Sequence, residues 1–335
     1  MPISVATETV STASETVCTI EGCEDKRHAK GYCTFHYNSF RNHGDPLAAS
    51  RMGKKPRRKA EAKPKPAEAK PAAAKRPAVA SDATRHPAFD EVCELLEDGE
   101  NVMLVGPAGT GKSYLAEQVA KHRGQRFGSI SCSAGMSESH LIGRMVPMGD
   151  AGQFEFLSTE FLECFEQGGV FLLDEMDSAD PNVLLVINGA LANGRISVPA
   201  RNGKPVAMRH PEFVLIAACN TFGRGADRQY VGRSQLDEST LDRFRIGTIE
   251  CDYCEKLERR LFIAIAGEDA AALDVLSAIW KYRAAVVENR LERCVSTRFV
   301  ISAAKAVKRG RNLEYITDKL TNGWRADEKR KVIDA

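Results

Sequence analysis

No apolar run in this 335-residue chain reaches the roughly 20 residues that a membrane-spanning helix needs, so no helical span is expected. The first residues lack the basic-then-apolar layout of a secretory leader, and a cytoplasmic location is the resulting expectation. Net charge is also nearly missing: 47 Lys and Arg face 45 Asp and Glu, leaving +2. That small figure hides an asymmetry. Between Arg51 and Ala80 eleven basic residues face only Glu61 and Glu68, a local +9, and subtracting it from +2 leaves −7 elsewhere. With 43% hydrophobic and 27% charged residues, the rest reads as ordinary globular protein with room for two or three domains. Ten cysteines in a cytoplasmic chain point to metal ligands and buried thiols rather than disulfides.

Residues 1–14 carry no periodic apolar signal and are expected to be disordered. Residues 15–44 contain Cys18, Cys23, Cys33 and His36, separated by four, nine and two residues. Thiolates and imidazole are the ligands zinc prefers, and four of them close a structural tetrahedral site. So short a segment cannot bury a sufficient core, so zinc would supply its folding energy. His28 is a rival fourth ligand, though the short Cys33–His36 spacing favours His36. The run resembles small treble-clef-like zinc modules of phage and bacterial DNA-associated proteins. Arg27, Lys30, Tyr37, Arg41 and His43 around it either meet phosphate and bases or form a solvated face. Residues 45–85 are Lys/Pro/Ala-rich, which disfavours helix and reads as a tether, either attracting a polyanion such as DNA or RNA or merely solubilising.

The informative stretch is Asn101–Tyr114, NVMLVGPAGTGKSY. Val102–Val105 suit a strand buried on both faces, and Lys112-Ser113 opens an amphipathic helix with Leu115, Val119 and Ala120 on one side. Strand, G-x-x-x-x-G-K-[ST] and helix together make the phosphate-binding P-loop context. Gly106, Pro107, Ala108, Gly109, Thr110 and Gly111 would let backbone N–H groups close on phosphates at a helix N-terminus. Lys112 would bridge the outer phosphates, Ser113 would ligate Mg²⁺, and Tyr114 follows within the same nucleotide-contacting run. A second apolar strand, Gly169–Leu173, ends in Asp174 and Glu175. Asp174 is read as orienting Mg²⁺ and Glu175 as the general base that polarises water. A third, Phe213–Cys219, ends in Asn220, whose amide would bond the lytic water or γ-phosphate. The phosphate cradle and the two acids are expected to meet across adjacent strands. Hairpins are expected within Ser137–Phe156 and around the turn Asn202-Gly203. Cys251 and Cys254 form a C-x-x-C without a second pair nearby and are read as structural.

This series, followed by Leu241-Asp242-Arg243-Phe244, resembles an AAA+ ATPase, and the two hairpins are similar to those of the MoxR and CobS-like, dynein-related group, which includes phage-encoded members. The resemblance covers roughly residues 86–330. It implies a P-loop α/β core, residues 86–250, and a small helical lid with a C-terminal tail, residues 251–335. It also implies ATP with Mg²⁺, a homo-oligomeric ring, usually a hexamer, and bacterial or phage-host cytoplasm. By the same resemblance Asn220 matches sensor 1, Arg243 the arginine finger reaching a neighbour's γ-phosphate, and Arg298 of Ser296-Thr297-Arg298 the sensor 2 arginine. Arg233 and Arg245 are rivals for the finger, and an intersubunit salt bridge is the plainer role for Arg243. The function implied is hydrolysis coupled to remodelling a protein or nucleoprotein client. Alternatives are a nucleic-acid-binding adaptor or motor recruited through the zinc module and tether, and a chelatase-type subunit with a von Willebrand A (VWA)-domain partner.

Overall fold

Five short apolar runs assemble into one parallel sheet in the computed structural model, which describes residues 17–47 apart from 22 and 24, residues 84–148 and residues 152–334. The expected disordered start, residues 48–83 of the expected tether and the tip of the first expected hairpin (149–151) lie outside the described residues, as do the side chains of Arg27 and His43. Contacts divide the chain into two compact units, residues 1–76 and 77–335.

In the first unit, β1 (Arg27–Ala29) pairs antiparallel with β2 (Tyr32–Cys33), turning through Lys30 and Gly31, both at positive φ. Helix α1 (Thr34–His43) follows at once and stops at Gly44, whose left-handed backbone returns its N–H to Phe40 O.

In the second unit the elements in order are α2 (Phe89–Glu97), β3 (Val102–Val105), α3 (Lys112–His122), β4 (Phe127–Ser131), α4 (Ser139–Ile142), β5 (Arg144–Met148), β6 (Gln153–Leu157), α5 (Glu160–Gln167) and β7 (Gly169–Asp174). Then come α6 (Pro181–Asn193), β8 (Arg195–Ser197), β9 (Val206–Met208), β10 (Phe213–Cys219), α7 (Glu238–Asp242) and β11 (Thr248–Glu250). The last are α8 (Glu255–Ala266), α9 (Ala270–Glu288), α10 (Thr297–Val307), α11 (Leu313–Thr321) and α12 (Ala326–Ile333).

The sheet order is β11-β3-β10-β7-β4, every pair parallel. The strands are unbroken apolar runs because both faces are covered. Alternate residues of one strand enter different clusters: Met103, Phe171, Phe213 and Leu215 pack on one face with Phe161, Phe165, Leu184 and Ile187. Val102, Leu104, Val170 and Ile216 pack on the other with Phe89, Val92, Leu115 and Val119. The expected α/β class is therefore what the chain builds. Phe161 lies at the centre of the first cluster, its ring 5.1 Å from Phe171 and 6.0 Å from Phe213, both near edge-on. Such pairs add about 0.5–1.5 kcal/mol each beyond burial.

Both expected hairpins form, β5 with β6 and β8 with β9, each antiparallel. The last five helices enclose a separate core of Phe262, Ile279, Val300, Ile316 and Val332. The sequence reads helices at Tyr253–Ala266 and Ala270–Arg290, and one end of each differs in the structure for an identifiable reason. Helix α8 begins at Glu255 rather than Tyr253, because Tyr253 turns away to hydrogen-bond Ala108 O at 2.9 Å. Helix α9 stops at Glu288 rather than Arg290, whose φ of 51° lies in the left-handed region that ends a helix. No helix of the described residues is long and apolar enough to cross a membrane.

Candidate functional site

The loop between β3 and α3 needs its glycines. A Cβ at Gly106 would fall 2.1 Å from Cys251 O, and one at Gly109, where φ is 81°, would fall 2.7 Å from Ser296 Cβ. Gly111 starts α3 at φ 104°, and Thr110 Oγ1 closes the turn on Pro107 O at 3.2 Å. Inside this turn Lys112 is only 7% exposed. Its Nζ donates to Gly106 O (2.6 Å), Pro107 O (2.9 Å) and Asn220 Oδ1 (3.1 Å). Burial pushes the Lys112 ammonium below its ordinary pKa, opposed by the nearby Cys251 thiol and Asp174 carboxylate. A buried cation at a helix start, where free backbone N–H groups gather, suits an anion of several oxygens. Tyr114 faces aside, its hydroxyl 3.4 Å from Thr84 Oγ1.

The acids stand at the same edge. Ser113 Oγ donates to Asp174 Oδ2 at 2.6 Å, joining the first turn of α3 to the end of β7. Glu175 follows in a left-handed conformation (φ 54°, ψ 41°), a strained backbone for glutamate of the kind that gathers at functional sites. One expectation is corrected here. The cradle and the acids do not lie on adjacent strands: β10 runs between β3 and β7, so Asn220 stands between Lys112 and the acid pair. Sequence order cannot reveal this, since β10 is the last of the three to be made.

One residue in this site, Asp177, escaped the sequence reading, and Arg233, read there as a rival for the finger, turns inward instead. Asp177 is fully buried, and its Oδ2 accepts from Asn220 N (3.0 Å), Thr221 N (2.9 Å) and Thr221 Oγ1 (2.9 Å). Arg233 Nη1 lies 3.4 Å from Asp177 Oδ1 and 3.5 Å from Glu175 Oε2. Asp177 therefore ties the ends of β7 and β10 together, fixing Asn220 relative to Glu175. The usable signal was a third acid two residues after a strand-terminal acid pair.

Residues 101–244 match the AAA domain of the dynein-related subfamily. Curated relatives include the uncharacterized protein YojN of Bacillus subtilis, 29% identical over 188 residues, which are 56% of this chain and 59% of that protein. An uncharacterized protein of Staphylococcus saprophyticus is 27% identical over 170 residues, 50% of this chain and 61% of its own length. The chain spans about three fifths of the length of these relatives. Among solved structures, a RuvB mutant of Thermotoga maritima aligns at TM-score 0.41 and 18% identity, covering 70% of this chain and 74% of that one. NtrX from Brucella abortus aligns at 0.42 and 16%, covering 72% and 52%.

Around the matched residues the arginines separate. Arg233 is engaged with acids of its own chain, and Arg245 pairs with Glu238 and Asp242 on α7. Arg243 donates to Ser239 O and, among the described residues, pairs with no carboxylate. Arg298 is exposed on the first turn of α10, and its Cβ lies 3.6 Å from where a Cβ on Gly109 would be. That turn is held in place by Glu258, fully buried, which accepts from Thr297 Oγ1 (2.5 Å), Trp280 Nε1 (2.7 Å) and two Arg283 nitrogens (2.9 and 2.7 Å). Arg283 also stacks over Tyr253, 4.2 Å from its ring centre. The last five helices and the segment leading into them thus touch the loop between β3 and α3 at Ala108 and at Gly109. Cys251 is buried and 2.7 Å through its N–H from Val105 O, extending the β11–β3 pairing, which accords with a structural role.

His86 sits against the same loop, 95% buried, its ring 3.5 Å from a Cβ position on Gly111. Burial lowers its pKa, and the Lys112 charge lowers it further against an opposing Thr110 backbone contact. The unfolded chain therefore binds a proton that the folded one resists, and stability rises with pH through the ordinary imidazole range. Melting temperature should fall on going from about pH 7.5 to about pH 5.5, and the fall should be smaller in His86→Gln, read by thermal melts.

In the first unit Cys18, Cys23, Cys33 and His36 bring one ligand atom each to within 4.8 Å of the others. Cys23 and Cys33 sulfurs lie 3.7 Å apart, and His36 Nδ1 lies 3.3 Å from Cys33 Sγ and 3.5 Å from Cys18 Sγ. Zinc–sulfur bonds of 2.3 Å at tetrahedral angles give edges of about 3.8 Å, so the four donors fit zinc. His28 is turned to Tyr37, ring centres 5.7 Å apart, outside the cluster. One zinc per chain is expected by metal analysis. Cys33→Ser should lose it and open the first unit to protease, since metal binding supplies about 10–16 kcal/mol in such modules.

Proposed function

We propose that this chain is an ATP-hydrolysing AAA+ protein that assembles as a ring, hexameric in the MoxR and CobS-like manner, and remodels a protein or nucleoprotein client. The observation that carries the reading is the convergence of Lys112, the Ser113–Asp174 pair, Glu175 and Asn220 at the carboxyl edge of one parallel sheet. Ligands of open α/β sheets bind at that edge.

Each residue takes a role that its placement supports. Residues 108–111 donate backbone N–H groups to phosphate oxygens, and Lys112, already drawn inward, bridges the outer phosphates. Ser113 and Asp174 offer hard oxygen donors 2.6 Å apart and would hold Mg²⁺, which neutralises charge on the transferred phosphoryl when bound. Glu175 takes the proton from the attacking water, and Asn220 orients that water or the γ-phosphate. Arg298 reaches the phosphates from the lid. The hairpins support a remodelling stroke: Met148, Phe154 and Leu157 on the first, and Val206 and Met208 on the second, are apolar and exposed. Such apolar tips serve contact with a client or with a neighbouring subunit. The test is phosphate release from ATP by the full chain, with and without Mg²⁺. A chain that binds ATP yet releases no phosphate with Mg²⁺ present, alone or with other copies, would overturn the assignment.

A further inference from the structure

The segment between Gly223 and Leu236 is built as a closed-neck loop. Leu236 N donates to Gly223 O at 2.9 Å, and Arg224 pairs with Gln235 across the neck. Most of its tip faces solvent, with Val231 82% exposed, yet two side chains turn inward. Tyr230 is presented by a tight turn in which Asp227 Oδ1 accepts from Gln229 N (2.8 Å) and Tyr230 N (2.7 Å). Its hydroxyl accepts the Ala108 N–H at 2.8 Å. Three residues on, Arg233 is 10% exposed, lies over the Tyr230 ring at 5.8 Å and reaches Glu175 and Asp177. Ser234 N fastens the same stretch to Asp177 O at 2.7 Å.

We propose that this loop is a latch in which Tyr230 competes with nucleotide phosphate for the Ala108 N–H while Arg233 acts as a positioning residue that restrains Glu175. The inference rests on the nucleotide-binding reading above and deepens it. A single N–H serves one strong acceptor, so a phosphate oxygen in the cradle displaces the phenol. Tyr230 and Arg233 share one short loop in ring contact, so moving the first loosens the second. Glu175 then leaves a guanidinium that holds its carboxylate and becomes free to take a proton from water. Asp177 keeps three donors on Oδ2 when Arg233 moves, but its buried Oδ1 then has no partner, a cost that draws Arg233 back when the cradle empties. The arrangement makes hydrolytic competence follow phosphate binding instead of standing ready without it.

The test uses the full chain, a fluorescent ATP analogue for affinity and phosphate release for turnover. Tyr230→Phe removes one oxygen and is expected to bind the analogue about three- to tenfold more tightly, the size of one hydrogen-bond exchange. Arg233→Ala should raise turnover at saturating ATP several-fold without a matching change in affinity, and Arg233→Lys, which keeps the charge, should restore most of the restraint. Unchanged or weaker binding by Tyr230→Phe would overturn the latch, as would lower turnover in Arg233→Ala when Tyr230→Phe and wild type bind alike. A wild-type chain that binds no nucleotide would sink the nucleotide reading and the latch together, whereas the preceding outcomes sink the latch alone.

Discussion

Glu175→Gln should bind ATP within about twofold of wild type and hydrolyse it about 10²–10⁴ times more slowly, the span that a positioned base contributes. The substitution keeps the side chain's shape and removes its charge. Nothing that would hold the phosphates is touched: Lys112 is placed by Gly106 O, Pro107 O and Asn220 Oδ1, and Ser113 by Asp174. The left-handed backbone at Glu175 is shared by the amide, so the strain is not relieved. Arg233 loses one of two carboxylate partners and keeps Asp177. Binding and chemistry should therefore separate, which equilibrium titration and single-turnover phosphate release measure independently. Turnover equal to wild type would reject Glu175 as the base. A parallel loss of affinity would mean that the carboxylate holds the metal instead.

What was legible in the chain was local. The cradle is six consecutive residues whose glycines are explained by the neighbour a Cβ would strike at Gly106 and Gly109 and by a left-handed φ of 104° at Gly111, so composition and function coincide in one short string. The four zinc-type donors lie within nineteen residues, and α10 begins where Ser296 caps it by accepting from Phe299 N at 3.3 Å. What was illegible depends on contacts between distant residues. The placement of β10 between β3 and β7 follows from packing both faces of the sheet, not from any residue in β10. Arg233 reads as a rival for the finger, and only the fold turns it onto Glu175 and Asp177 of its own chain. Glu258 lies in a helix that opens with five charged residues in its first six, which gives no sign of burial. Its burial depends on Trp280, Arg283 and Thr297 arriving from 22 to 39 residues away.

Arg243→Ala, made alone, should lower turnover by about 10³ or more, the effect of removing a guanidinium that stabilises phosphoryl charge. In the proposed ring, the geometry accounts for a loss felt by a neighbouring copy. Arg243 O accepts from Asn101 Nδ2 at 3.4 Å, which places the Leu241–Phe244 segment beside the amino end of β3. The cradle lies at the carboxyl end, and at roughly 3.3 Å per residue Asn101 and Gly106 are about 17 Å apart. Arg243 is thus on the wrong edge of the sheet for its own chain's phosphates and on the right side to be lent. Arg233 and Arg245 are already paired within their own chain, which leaves Arg243 as the arginine with a free role. A Lys112→Ala chain cannot hold phosphate but still carries Arg243. Mixed one to one with Arg243→Ala, it should complete those sites where an intact cradle meets an intact arginine. In a head-to-tail ring with random neighbours that is about a quarter of all sites, so about a quarter of wild-type turnover should return from two inactive parents. Turnover that stays at the level of the parents, in mixtures shown by sedimentation to contain both chains, would mean that the site is not shared. Full activity in Arg243→Ala alone would move the finger elsewhere.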